Sequence, residues 1–407
     1  MRWKAEMKNN KQKKKIVKLQ YLLLVICLIT IFVMGGCQNQ EEVIPEEKES
    51  RITEPSSEIN EVDETDEVDE PDVVDETDEE DEEENLNPYD FVLAFAGDIN
   101  FDENWATMEH YNKVENGIYD CISPELIDMM NEADLMCINN EFTYSTGGAP
   151  LSNKAYTFRA DPSRVNILKE MGVDIVSLAN NHVFDYGEEA LIDTMSTLKE
   201  ADIDYFGAGH NLDEAMTPVY YEVEGKTIAY VAASRAEKYK MTPQATEESA
   251  GILRCYDTDL FLQTIEEAKK NSDYVIAYVH WGTEYSHELD EVQLTTGKEY
   301  LDAGADIVVG AHPHILQGIE YYDGKPIIYS LGNFWFNSKT IDTMLLKIHF
   351  YGDDTEEFIE LEVVPAIQAD TMTKIVSDPS EKQRIFSLIE DISINIKIDE
   401  NGFVKEN

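Results

Sequence analysis

The chain has 407 residues and a formal net charge of −51, from 83 acidic against 32 basic side chains. So acidic a balance excludes a nucleic-acid partner, because phosphate backbones select basic surfaces. The length allows one large domain or two small ones, and the five cysteines follow neither a close-spaced zinc pattern nor a disulfide framework.

The charge is unevenly placed. Residues 1–18 are basic, and an apolar run from Tyr21 to Met34 follows, interrupted only by Thr30. The run is short for a bilayer span and suits a signal-peptide core. It ends in Met34-Gly35-Gly36-Cys37, which resembles a lipobox. Residues 1–36 are therefore expected to be a lipoprotein signal, with lipid attached to Cys37, or an uncleaved membrane anchor. Either way the rest of the chain lies outside the membrane, by the positive-inside rule. Residues 37–87 form an acidic linker in which Val62-Asp63-Glu64-Thr65-Asp66-Glu67 recurs as Val74-Asp75-Glu76-Thr77-Asp78-Glu79. Such a segment cannot bury enough apolar surface to offset its ordering entropy, so it is expected to be a disordered, self-repelling spacer.

From residue 88 the composition becomes globular, and one domain is expected over 88–395 with a tail at 396–407. Phe91 to Gly97 reads as a buried strand, Pro124 to Asn131 as a helix and Leu135 to Asn139 as the next strand. Pro162 to Met171 is amphipathic and ends at Gly172; Val173 to Leu178 is a strand and Glu188 to Ala201 a helix. Strands follow at Lys226 to Ala233, Tyr274 to Val279 and Ile307 to Val309, separated by helices at Asp259 to Lys270 and Val292 to Ala303. Ile327 to Ser330, Met344 to Phe350 and Phe358 to Val364 close the strand set, and Lys382 to Asp391 reads as a last helix. Alternating strands and helices, then paired strands, predict a mixed α/β domain of two packed sheets flanked by helices.

Five clusters of metal-ligand residue types sit where strands run into loops. They are Ala96-Gly97-Asp98-Ile99-Asn100, Ile138-Asn139-Asn140-Glu141-Phe142, Leu178 to Gly187, Val279 to Glu284 and Gly310-Ala311-His312-Pro313-His314. Strand ends gather on one rim of an α/β sheet, so the clusters are expected to meet. A two-metal hydrolase site needs carboxylates to neutralise the cations and neutral imidazoles or amide oxygens to complete their shells. Asp98 and Glu141 supply carboxylates, Asn181 an amide oxygen, and His280, His312 and His314 imidazoles. In an extended segment His312 and His314 point to the same side. His182 is a candidate general acid, with Asp185 near enough in sequence to orient its ring. Arg159 is a candidate contact for an anionic substrate, and Trp281 and Glu284 are expected near the mouth of the site.

These motifs, with Ser330-Leu331-Gly332-Asn333-Phe334, resemble those of the CapA family of PgsA-like poly-γ-glutamate capsule biosynthesis proteins over about residues 89–370. That family looks like a branch of the calcineurin-like metallophosphoesterases. The resemblance implies a two-sheet α/β sandwich with Asp98 in the first metal motif and Glu141 at the bridging carboxylate position. Asn181 and His182 match the family's Asn-His pair, His280 its lone histidine, and His312 and His314 its paired histidines. The superfamily's first motif usually carries a histidine where Asn100 stands. One or two divalent ions (Mn, Zn or Fe) are therefore implied. The resemblance further implies a tethered component of capsule production on the extracellular face of a bacterial membrane. Its partners would be membrane-bound synthase components, and its substrate an anionic polymer or a phosphoester. Two readings follow, a metal-dependent hydrolase or a non-catalytic accessory subunit.

Overall fold

The first strand, β1 (Tyr89–Ile99), divides its side chains between two interiors. Phe91, Leu93 and Phe95 enter one apolar cluster, Ala94 and Ala96 another, as the two-residue period of a strand requires. The computed structural model describes residues 87–236 and 241–407. The expected signal or anchor, Cys37 and the acidic linker up to residue 86 lie outside the described residues.

Along the chain follow β2 (Leu135–Asn140), β3 (Ile175–Ser177), β4 (Asp204–Phe206), β5 (Val219–Val223), β6 (Lys226–Ser234), β7 (Tyr274–His280) and β8 (Ile307–Ala311). The second half adds β9 (Ile319–Tyr322), β10 (Lys325–Ile328), β11 (Asn333–Trp335), β12 (Ile341–Gly352), β13 (Glu357–Ala369), β14 (Met372–Ile375), β15 (Ile396–Ile398) and β16 (Phe403–Glu406). A ten-stranded sheet runs β15-β16-β13-β12-β1-β2-β3-β4, with β11 beside β1 and β14 beside β13. A six-stranded sheet runs β9-β10-β8-β7-β6-β5. Both are mixed: β1 to β4 pair in parallel while β12 lies antiparallel to β1, and β6, β7, β8 and β10 are parallel between antiparallel edges.

The inner faces of the two sheets meet in one cluster, where Leu93, Phe95 and Ile175 pack with Tyr230, Ile276, Tyr278 and Val309. The outer face of the large sheet is covered by α1 (Pro124–Glu132), α2 (Val165–Glu170) and α3 (Glu188–Glu200), through Leu126, Ile127, Leu168 and Leu191. The outer face of the small sheet is covered by α4 (Asp259–Lys270) and α5 (Glu291–Asp302), through Phe261, Ile265 and Leu301. The result is helix, sheet, sheet, helix, the layering expected for the fold class. A last helix, α6 (Pro379–Ile392), closes the interior between the sheets with Ile385, Phe386 and Ile389.

The fold extends beyond the expected boundary. Residues 396–407, expected as a tail, form the β15-β16 hairpin, and β16 pairs with β13. Ile396, Ile398 and Val404 alternate inward and are buried in the inter-sheet cluster. Ile396 and Ile398 stand two apart on β15 and Val404 lies opposite Ile398 on β16, so one face of the hairpin meets the core. Among the described residues no helix is long and apolar enough to cross a membrane.

Candidate metal centre

The C-terminal ends of the parallel strands from both sheets open on one rim. Asp98 stands near the end of β1, Asn139 near the end of β2, and Glu141 directly after it. Asn180, Asn181 and His182 follow β3, His280 is the last residue of β7, and His312 and His314 follow β8. Asn333 opens β11 in register with Asp98. Here the backbones nearly touch: the Asp98 N–H donates to the Gly332 carbonyl at 2.9 Å, and a Cβ on Gly97 would lie 1.8 Å from that same oxygen. Only glycine fits before Asp98.

Two overlapping sets of side chains come together. Glu141, His280 and His312 form one, and Asp98, Glu141 and His314 the other, each with ligand atoms within 4.8 Å of one another. Glu141 belongs to both, the place expected of a bridging carboxylate. All five are buried. The Asn181 Oδ1 accepts from His280 Nε2 at 2.8 Å, which puts the amide oxygen at the first set. The His314 Nδ1 faces Asn333 Oδ1 at 2.8 Å and Asp98 Oδ2 at 3.1 Å.

The donor set fits a divalent cation. Glu141 Oε1 and His312 Nδ1 are buried with no hydrogen-bond partner, and the nearest imidazole nitrogen to Glu141 Oε1, His280 Nε2, is 3.6 Å away. A buried polar atom without a partner is costly and marks a strained site, a catalytic role or an ion. Burial, and next the Asp98 charge, push the Glu141 carboxyl well above its usual range against the pull of Lys154. Burial, with the adjacent imidazoles, pushes His280 and His312 well below the usual histidine range. Neutral imidazole is the ligating form, and a bound cation favours the ionised carboxylate. For His314, burial opposes the charged form, yet the Asp98 hydrogen bond and charge raise it.

His312 and His314 reach the centre differently from the expectation. Their φ angles are +99° and +60°, so the segment is not extended and strand alternation does not orient them. Positive φ is strained for a residue with a Cβ and persists only where the surroundings enforce it. Pro313 between them helps, because its carbonyl accepts from the Tyr285 N–H at 2.8 Å.

His182 lies beside the ligands with its Nδ1 2.7 Å from Asp185 Oδ2, the pairing expected from sequence. Its ring packs on Phe158, centroids 4.4 Å apart. Asn100 offers its carboxamide oxygen elsewhere, accepting from the Asp102 N–H at 2.8 Å. Glu284 is exposed, and its charge raises the pKa of both Glu141 and His314.

Trp281 is a correction. Its ring is fully buried between Tyr300 and Tyr329, and its Nε1 donates to the Tyr329 carbonyl at 3.0 Å. Since His280 faces the centre, alternation sends Trp281 into the core on the other side of the sheet. Arg159 packs over the Tyr186 ring, 4.1 Å from its centroid, and donates to the Gly147 carbonyl at 3.0 Å. The shallow depression it lines with Glu103 and Asp161 contains none of the candidate ligands.

Three polar residues central to the site have no assignment from sequence. Asn139 Nδ2 donates to Asp98 Oδ1 at 2.7 Å and Glu141 Oε2 at 3.3 Å, and faces His280 Nδ1 at 3.3 Å. Asn180 orients that amide by donating to Asn139 Oδ1 at 3.0 Å, while its own oxygen accepts from the His182 and Val183 N–H groups. Their positions inside the motifs were a usable signal. Lys154, ion-paired to Asp185 at 2.8 Å, lies in no motif.

The sequence profile of the family described as "Bacterial capsule synthesis protein PGA_cap" matches residues 92–338. The chain belongs to this family. All the candidate ligands fall inside the matched PGA_cap segment. The chain is 36% identical over 242 residues to "Capsule biosynthesis protein CapA" of Bacillus anthracis, covering 58% of this chain and 57% of that protein. It is 34% identical over 237 residues to "PGA biosynthesis protein CapA" of Bacillus subtilis (strain 168), covering 57% and 61%. The chain thus spans about three-fifths of the length of these relatives. Among solved structures it is similar to Haemophilus influenzae NAD nucleotidase, with a TM-score of 0.39 and 11% identity over 77% of this chain and 65% of that one.

Proposed function

We propose that this PGA_cap domain is a metal-dependent hydrolase serving poly-γ-glutamate capsule production at the extracellular face of a bacterial membrane. The observation that carries the chemistry is Glu141, whose buried carboxylate belongs to two ligand sets at once. The capsule role follows from the names of the Bacillus relatives. Tethering would come from lipid on Cys37 or an uncleaved anchor, the partners would be membrane-bound synthase components, and the substrate an anionic polymer or a phosphoester.

One or two divalent ions, of Mn, Zn or Fe, would be held by Asp98, Glu141, His280, His312 and His314, with the Asn181 amide oxygen. Such an ion supplies Lewis-acid polarisation of a substrate oxygen. The chain's own groups do the rest. Asn139 holds Asp98 and Glu141 as acceptors. Asp185 fixes the Nδ1 edge of His182 and so orients the imidazole that would give a proton to the leaving group. The exposed Glu284 repels anions and so restricts which part of an acidic substrate approaches.

The accessory-subunit reading is favoured by the first motif, where the Asn100 oxygen is already engaged, and by 29% identity over 209 residues to a Mycobacterium tuberculosis "Probable polyglutamine synthesis accessory protein". The two readings part on the full chain purified in detergent without chelators. Elemental analysis finding about one or two equivalents of metal, together with loss of capsule but retention of metal in His182→Ala, supports the hydrolase. Absence of metal after reconstitution, or normal capsule in His182→Ala, moves the reading to the accessory subunit.

A further inference from the structure

The segment between Ser145 and Phe158 belongs to no motif, yet it is fastened to the loop that carries Asn181 and His182. Leu151 N–H donates to the Asp185 carbonyl at 2.9 Å, and Phe158 N–H to Asp185 Oδ2 at 2.7 Å. The central contact is Lys154. Its side chain is 4% exposed, and its ammonium lies 2.8 Å from Asp185 Oδ1 while donating to the backbone carbonyl of Asn181. That carbonyl also accepts from Thr242 Oγ1 at 2.9 Å.

A single buried cation therefore grips two groups four residues apart in different roles. One is the carboxylate that orients His182; the other is the backbone of the residue whose side chain meets His280. A lysine beside a cation-binding centre works against that centre, since its charge repels the ion. Two facts offset this. Asp185 neutralises the ammonium at contact distance, and the ammonium is pinned on the backbone side of Asn181. Its charge still reaches Glu141 and the imidazoles, but its contacts set the geometry of the turn. We infer that Lys154 is a positioning residue of the metal centre: it locks the 181–185 turn so that the Asn181 amide and the His182 imidazole address the same ions. The inference rests on the metal-centre reading given above.

Residues that orient ligands from behind typically change metal affinity by about 10–100-fold when removed. The test titrates metal-free full chain with Mn²⁺ and with Zn²⁺, and records the melting temperature of the metal-free form. Lys154→Met is expected to bind metal roughly 10–100-fold more weakly, and Lys154→Arg to recover most of the loss. Removing one partner of a buried ion pair threatens folding by itself. The Lys154→Met/Asp185→Asn double variant removes the pair whole. It is expected to melt near the wild type yet keep the weakened affinity. Wild-type affinity in either the folded Lys154→Met chain or the double variant overturns the role of Lys154 alone. A wild-type chain that takes up no metal overturns the centre and this inference with it.

Discussion

Two clusters in this molecule use the same residue types and reach opposite balances. On the face of the large sheet turned away from the inter-sheet core, Glu362 of β13 accepts from His349 Nε2 at 2.8 Å and Lys347 Nζ at 3.0 Å, both from β12. Every charge there has a partner and about a fifth of each side chain reaches solvent. His349, and with it Lys347, holds the Glu362 carboxyl below its usual range. At the rim, by contrast, Glu141 and His312 are buried with atoms left unpartnered, and Glu141 is pushed the other way by burial and by Asp98. A histidine and a carboxylate in contact thus say little alone. The difference lies in whether the lone pairs are already used. The sheet-face cluster is complete as protein, whereas the rim cluster has spare lone pairs on buried side chains.

The largest effect expected from this contrast is at Glu141. Glu141→Gln should abolish most metal uptake, because the carboxylate serves both sets; elemental analysis reads it. Retention of full stoichiometry would remove the parallel with a bridging ligand. Next comes Trp281, next to a ligand in sequence but not in role. Trp281→Ala should cost about 3–5 kcal/mol of stability, the usual range for truncating a buried aromatic, with metal stoichiometry unchanged in the folded fraction. Denaturant melts paired with metal analysis check this, and loss of metal without loss of stability would return Trp281 to the site. Asn139→Ala should weaken metal binding by roughly 10–100-fold, since it frees Asp98 and Glu141 from their shared donor. An unchanged titration would make that carboxamide mere packing.

The smallest effect belongs to the sheet face. Glu362→Gln should leave metal binding untouched and cost up to about 1 kcal/mol near neutral pH. The sign of its pH dependence is set by the depressed carboxyl. Its contribution is present above the ordinary carboxylate range and is lost as pH falls through the lowered folded value. Wild type and variant should therefore converge on acidification. Melting curves across pH test this, and a gap that widens in acid would contradict it.

Much of the site was readable because strand-to-loop junctions carry their ligands in short runs. The apolar run ending at Gly97-Asp98, and the one ending at Val279-His280, each announced both a strand and the residue at its tip. Trp281 was readable as well, by applying alternation one residue past His280. The edges of the sheets were harder. β5 is only half-buried, and β15 and β16 lie where the chain was expected to trail off, so their apolar alternation is short and weak. The paired histidines were found for the right residues and the wrong backbone, because positive φ at a non-glycine residue leaves no mark in composition.

The sequence by itself determined the layers, the order of the strands' ligand-bearing tips and the kinds of donor available, since these depend on periodicity and residue type within a few positions. Only the tertiary structure decided which lone pairs are already spent. Whether Asn139 faces the Asp98 carboxylate and whether Lys154 meets Asp185 depend on contacts between segments far apart in the chain. Hydrogen bonds are short-ranged and directional, so their partners are settled only once the packed sheets bring those segments within about 3 Å.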